Sequence, residues 1–172
     1  QYGSSNWQYI SYEYLYTFDD RDLFVIRSKD HGVTWPDLWK LHGDWDWSVY
    51  TQSKITNAEG NVYVVYRAAT DYYSADGDIR LDIYDRTSWI TKLNIDGTSG
   101  DCWWPSVAVT HGGDLVVVAF EYLSKVLYSY SQFKGSDPWH KGYVLDPLAP
   151  TPQKYPTLTV DGGGSTSNTV YG

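Results

Sequence analysis

The chain has 172 residues, enough for one ordinary domain with a sizeable core. An aromatic share of 17%, with 17 Tyr and 9 Trp beside 15 Gly and 7 Pro, favours strands and turns over helices. A formal net charge of −8 without any Lys/Arg cluster argues against nucleic acid and anionic membranes as partners, because phosphate binding needs a basic footprint.

Residues 8–18 open the chain as a strand, and residues 23–27 form the next. Between them and a strand at 38–41 lies Ser28-Lys29-Asp30-His31-Gly32-Val33-Thr34-Trp35. Each position of this turn has a physical reading. Asp30 is short and acidic, so its carboxylate accepts backbone N–H groups of its own turn. Gly32 supplies a positive φ, and Trp35 is an apolar plate that packs over the next element. The turn predicts a self-satisfied corner, with Asp30 as a locking acceptor rather than a reactive group.

A second series begins with a strand at 49–53, a turn at 57–61 and a strand at 62–67. A third strand at 79–84 follows, and Trp89 leads into a fourth at 90–93. The third series has strands at 105–110, 115–120, 126–131 and 142–145. Residues 115–120 are apolar on both faces, as in a central strand. Ser131, Gly135 and Trp139 preserve a degraded copy of the Ser28–Trp35 corner. A last series starts with 156–161, a triple-glycine turn and 168–171. The spacing from Trp35 to Trp89 to Trp139 is about 50 residues, the period of four-stranded propeller units.

Ser28, Asp30, Gly32, Thr34 and Trp35 resemble the Asp-box, or BNR repeat, of the sialidase-like β-propellers. The resemblance implies an all-β fold of four-stranded antiparallel meanders set as blades. Residues 1–172 then form a single partial β-propeller of about three to four blades. A blade part spans 8–42, whole blades span 47–96 and 103–146, and a further blade starts at 155–172. Closed propellers take about four to eight blades. The chain is therefore expected to be a processed piece of a longer protein, with other blades in the parent chain, or to pair its partial ends with other copies. An unpaired second strand at its end would be an aggregation hazard.

The resemblance also implies that ligands bind on the face opposite the Asp-box. The loops expected there carry the candidate ligand-binding residues Asp44, Trp45, Asp46, Trp47, Asp71, Tyr72, Tyr73, Trp103 and Trp104. Aromatic faces stack on the C–H face of a pyranose while carboxylates accept from its hydroxyls. The alternative is that Trp47, Trp103 and Trp104 pack between blades and the aspartates cap turns. Asp76 and Asp78 offer hard oxygen ligands for Ca²⁺, without EF-hand spacing. His31, His42, His111 and His140 are too scattered for zinc, and Cys102, the only cysteine, has no partner for a disulfide within the chain. No other cofactor is expected.

No catalytic residue is assigned. Sialidase chemistry uses a Tyr nucleophile and an arginine triad on the substrate carboxylate. The arginines are Arg21, Arg27, Arg67, Arg80 and Arg86, and the arginine-isoleucine-proline signature is absent. Glu13-Tyr14 and Glu121-Tyr122 alternate across their strands, so each pair points to opposite faces. The expected function is a non-catalytic extracellular recognition or scaffold module of a secreted or cell-surface protein. Its partner would be glycan or another extracellular protein. The alternatives are a fragment of a secreted glycoside hydrolase of sialidase type, and a structural repeat that assembles a surface layer or filament. No membrane insertion is expected, since the longest clear apolar run, 115–120, is far below spanning length.

Overall fold

The computed structural model describes residues 7–17, 20–42, 49–58, 60–71, 73, 75–92, 95–96, 100–132, 135, 138–143, 152, 154–160 and 170–171. They form an all-β chain of antiparallel meanders. The first comprises β1 (Gln8–Thr17), β2 (Asp20–Ser28) and β3 (Asp37–His42). The second comprises β4 (Val49–Ala58), β5 (Asn61–Ala69), β6 (Asp78–Tyr84) and β7 (Trp89–Lys92). The third comprises β8 (Cys102–Val109), β9 (Leu115–Tyr122), β10 (Lys125–Gln132) and β11 (His140–Tyr143), with a 3-10 turn at His111–Gly113 after β8. Two short strands, β12 (Thr159–Val160) and β13 (Val170–Tyr171), begin a fourth. A single parallel pair, Arg21 with Val49, joins the first two meanders into one sheet.

The expected strands are present with shifted bounds: β4 runs on to Ala58, into the expected turn at 57–61, and of the expected 156–161 residues 159–160 form a strand. The fourth strand of the third meander is described at His140–Tyr143, starting two residues before the expected 142, and residues 144 and 145 lie outside the described residues. The first strand of that meander starts at Cys102, three residues before the expected 105. Cys102 and Trp103 pair with Tyr122 and Glu121, so Trp103 and Trp104 belong to β8 rather than to a loop.

Strand β5 explains how the layers stack. All nine of its residues are buried, as in a strand covered on both faces. Its period-two alternation divides them between two cores. Val62, Val64, Tyr66 and Ala68 pack with Leu23 and Val25 of β2. Tyr63 and Val65 pack with Ile79, Leu81 and Ile83, and with Val107, Val109, Val116, Val118 and Phe120 of the third meander. The second meander therefore lies between the first and the third. Each fully buried Val, Leu or Phe side chain contributes about 1.5–3 kcal/mol to this stacking. Trp39, Tyr84 and Trp89 extend the first contact as an aromatic cluster, with ring centroids 5.3–6.1 Å apart.

The corner at Ser28–Trp35 joins β2 to β3 and is locked as its sequence demands. Asp30 Oδ1 accepts the Thr34 N–H at 2.8 Å, and Oδ2 accepts the Thr34 hydroxyl at 2.6 Å. The buried Ser28 hydroxyl donates to Asp30 Oδ1 at 2.8 Å and accepts the Gly32 N–H at 2.9 Å. Gly32 has φ +85°, and the Trp35 indole N–H donates to its carbonyl at 3.1 Å. The hydrogen bonds from Thr34 and Ser28 hold the Asp30 carboxyl at about 2, well below the usual carboxylate range.

The same device recurs unannounced between β6 and β7. Asp85 Oδ1 accepts the N–H groups of Thr87 and Ser88 at 3.0 and 2.9 Å, together with the Thr87 hydroxyl. Its carboxyl is likewise held at about 2, by Thr87 first and then by the Ser88 N–H. Arg86, at φ 78°, takes the left-handed place. Between β10 and β11, Gly135 has φ +81° and its Cα faces the Trp139 ring, as Gly32 faces that of Trp35. All three meanders thus turn into their last strand around a left-handed residue, with a tryptophan three or four residues further on.

Candidate functional site

The other ends of the meanders carry a second recurring feature. In β4, Gln52 and Ser53 lie opposite one residue of β5, between the pairs Thr51–Arg67 and Lys54–Val65. In β8, Trp104 and Pro105 do the same between Trp103–Glu121 and Ser106–Ala119. These are β-bulges, and they sit at equivalent places. Gln52 has φ 59° and Trp104 has φ 53°. Tyr155, which precedes Pro156 as Trp104 precedes Pro105, has φ 55°. A left-handed conformation costs a non-glycine residue about 1–2 kcal/mol, and for a bulky side chain it is a clear outlier. The chain accepts that cost at Gln52 of β4, at Trp104 of β8 and at Tyr155 ahead of β12.

These three left-handed residues touch in series. The Gln52 N–H donates to Glu13 Oε1. The Trp104 N–H donates to Gln52 Oε1 at 2.7 Å. The Trp104 ring then meets the Tyr155 ring edge-on, with centroids 4.9 Å apart. The Trp103 and Trp104 ring centroids are 6.5 Å apart. Trp104 is 37% exposed and Tyr155 62%, so the strip ends in an open aromatic shelf.

A layer of charge lies beneath the strip. Glu13 of β1, Arg67 of β5 and Glu121 of β9 stand opposite Leu23, Ile79 and Val126 on the strands that follow. Arg67 is fully buried. Its Nη2 donates to Asp101 Oδ1 at 2.7 Å, and its Nε donates to the Cys102 carbonyl at 3.1 Å. Its guanidinium stacks 3.9 Å from the Trp103 ring centroid. The Trp103 indole N–H donates to Asp101 Oδ2, and the Gly77 N–H donates to Asp101 Oδ1 at 3.2 Å. Arg67 thereby fastens the start of the third meander to the second. Glu121 faces Lys154 at 3.8 Å, a counterpart of opposite sign one meander later. Burial pushes its carboxyl up, opposed by the Lys154 ammonium.

The expected site residues divide as follows. Trp103 and Trp104 lie on the strip. Asp71 and Tyr73 sit in the loop between β5 and β6, where Asp71 Oδ1 accepts the Tyr73 N–H at 2.8 Å and Tyr73 is open to solvent. Asp44, Trp45, Asp46, Trp47 and Tyr72 lie outside the described residues. Asp76 and Asp78 line a shallow cleft of about 130 Å³ with Tyr50, Thr70 and Arg80. Asp76 accepts the Thr70 hydroxyl at 2.9 Å. Burial, and then the charge of Asp96, push the Asp78 carboxyl up. Among the described residues, no three His, Cys, Asp or Glu side chains gather closely enough to hold a metal ion.

Arg21, Arg27, Arg67 and Arg80 each face a carboxylate of the chain itself. Arg27 binds Asp37 through two nitrogens at 2.8 and 2.6 Å and lies over Trp7 and Trp39. Arg67 is held by Asp101. Arg21 approaches Glu13 at 3.7 Å, and Arg80 approaches Asp78 at 4.0 Å. Sequence reasoning missed Gln52 and Tyr155, and it placed Arg67 only among the candidate anion binders. A signal existed in the aromatic-proline pairs Trp104-Pro105 and Tyr155-Pro156, one repeat apart. No protein-family model matches the chain, and no curated protein is similar to it in sequence.

Proposed function

We propose that the meanders are blades of a sialidase-like β-propeller, and that the chain is a non-catalytic recognition module of a secreted or cell-surface protein. Its ligand is a glycan, received on the shelf formed by Trp104 and Tyr155. One observation carries this reading: two open aromatic rings in contact, each presented by left-handed backbone just before a proline. Strain held by surrounding structure concentrates at binding and catalytic sites. An aromatic face offers a pyranose ring the apolar surface that its C–H face needs. The acidic composition, poor in lysine, supports an extracellular setting.

Hydrolysis has less support. A sialidase needs free guanidiniums for the substrate carboxylate, and Arg27 and Arg67 are committed to Asp37 and Asp101. The Ser28–Trp35 and Asp85–Trp89 corners satisfy their own polar groups and serve as fold markers. A glycan array probed with the labelled chain tests the reading. Trp104→Ala should abolish the strongest signal at an unchanged thermal midpoint. Binding that persists in this variant would refute the shelf, and turnover of a chromogenic glycoside would favour the hydrolase alternative.

A further inference from the structure

The first meander differs from the next two in one respect. Strand β5 is covered along one edge by β4, and β9 by β8. Strand β1 occupies the same place, since its Glu13 matches Arg67 and Glu121 in register. Yet among the described residues β1 pairs only with β2 and ends its sheet. It is ten residues long and exposes Ile10, Tyr14, Leu15 and Tyr16 at 44–57%. A long apolar strand with an open edge is a template for another strand.

The repeat specifies which strand fits. It must be a first strand of this chain's own kind, with its left-handed residue just past the position opposite Glu13. Segment 154–160 has that form. Tyr155 carries the left-handed conformation, and Lys154 stands where Thr51 and Trp103 stand in β4 and β8. Thr51 faces Arg67, and Trp103 faces Glu121. In the same register Lys154 faces Glu13, an opposite-charge pair, and Leu158 faces the exposed Ile10.

We propose that segment 154–160 of a second copy completes the first meander by strand addition. The inference rests on reading the meanders as blades. It gives the first meander the first strand that the second and third meanders have in β4 and β8. The segment already lies where a first strand belongs, with the Leu158 N–H donating to the Ser106 hydroxyl at 3.0 Å on the third meander. Among the described residues, strand β13 holds the contested edge by two residue pairs, Thr159–Tyr171 and Val160–Val170. The partner's β1 replaces these with a longer ladder. The exchange is reciprocal, as a two-fold interface requires.

The test is the mass of the 172-residue chain by light scattering on size-exclusion chromatography. Twice the 19.7 kDa chain mass is expected across the micromolar range. Lys154→Glu sets like charges opposite each other and should weaken the dimer by at least about tenfold. Glu13→Lys in the same chain should restore it. A second measurement uses Ile10→Cys with Leu158→Cys, because opposed strand residues lie within disulfide reach. An interchain disulfide supports the proposal. A monomeric mass, an open-ended ladder of masses, or a link formed within one chain overturns it. Glycan binding that follows Trp104 irrespective of mass separates failure of this inference from failure of the recognition reading.

Discussion

Gly77 tests how tightly the Arg67 latch is built. A Cβ placed on Gly77 would lie 2.5 Å from Arg67 Cζ and Nη2 and closer still to Nε, far inside contact distance. The arginine cannot swing away easily. It is fully buried, held at 2.7 Å by Asp101 and at 3.1 Å by the Cys102 carbonyl, and stacked on Trp103. Gly77 cannot retreat easily either, because its carbonyl accepts the Cys102 N–H at 2.8 Å. Gly77→Ala should therefore destabilise the chain by about 1–3 kcal/mol, the usual cost of overpacking. Arg67→Met removes one partner of a buried pair and should cost about 3 kcal/mol, the low end for such a loss, because Asp101 retains some solvent. In the Arg67→Met background the added methyl no longer meets a guanidinium, and Gly77→Ala should cost under about 0.5 kcal/mol. Urea unfolding followed by tryptophan fluorescence measures all four corners of this cycle. Equal costs of Gly77→Ala in both backgrounds would refute the latch.

The Asp30 and Asp85 corners make a pH prediction. Their carboxyls sit at about 2 in the fold against about 3.9 in an unfolded chain. A depressed value stabilises the fold above the unfolded value, and that stability fades as pH falls from about 4 towards about 2. Asp30→Ala should lower the thermal midpoint at neutral pH and flatten its decline over that window; a decline as steep as the parent's would rule the corner out as its source. Gly32→Ala forces a Cβ onto φ +85° and should cost about 1–2 kcal/mol in denaturant melts. The β9–β10 turn holds Leu123 and Ser124 at φ 50° and 61°. Replacing them with Asn and Gly suits that conformation and should raise stability by about 1 kcal/mol, which a higher urea midpoint at constant slope would register.

The strands were legible because their signals are local. Alternation, apolar runs and turn residues located the strands of each meander, and Ser28, Asp30, Gly32, Thr34 and Trp35 described their own hydrogen bonds. The Asp85 corner escaped notice because it is one residue shorter and uses Arg86 where a glycine would announce a positive φ. The bulges at Gln52 and Trp104 are set by pairing with β5 and β9, partners remote in sequence, and no local preference of Gln or Trp favours a left-handed backbone. Arg67 looked like any charged residue ending a strand. Its burial follows from Asp101 and Trp103, which only the stacking of the third meander brings to it. Trp103 and Trp104 stood out in the sequence, but the ring that meets Trp104, Tyr155, was hidden in a proline-rich stretch.

The central claim is that recognition belongs to the Trp104–Tyr155 shelf and not to the Ser28–Trp35 corner. The most direct measurement is affinity for the best array glycan by tryptophan fluorescence titration, in the parent chain, Trp104→Ala and Asp30→Ala, each at a temperature where it is folded. The account predicts that Trp104→Ala loses binding while Asp30→Ala keeps the parent affinity despite its lower thermal midpoint. Binding that survives Trp104→Ala but vanishes in folded Asp30→Ala would contradict it.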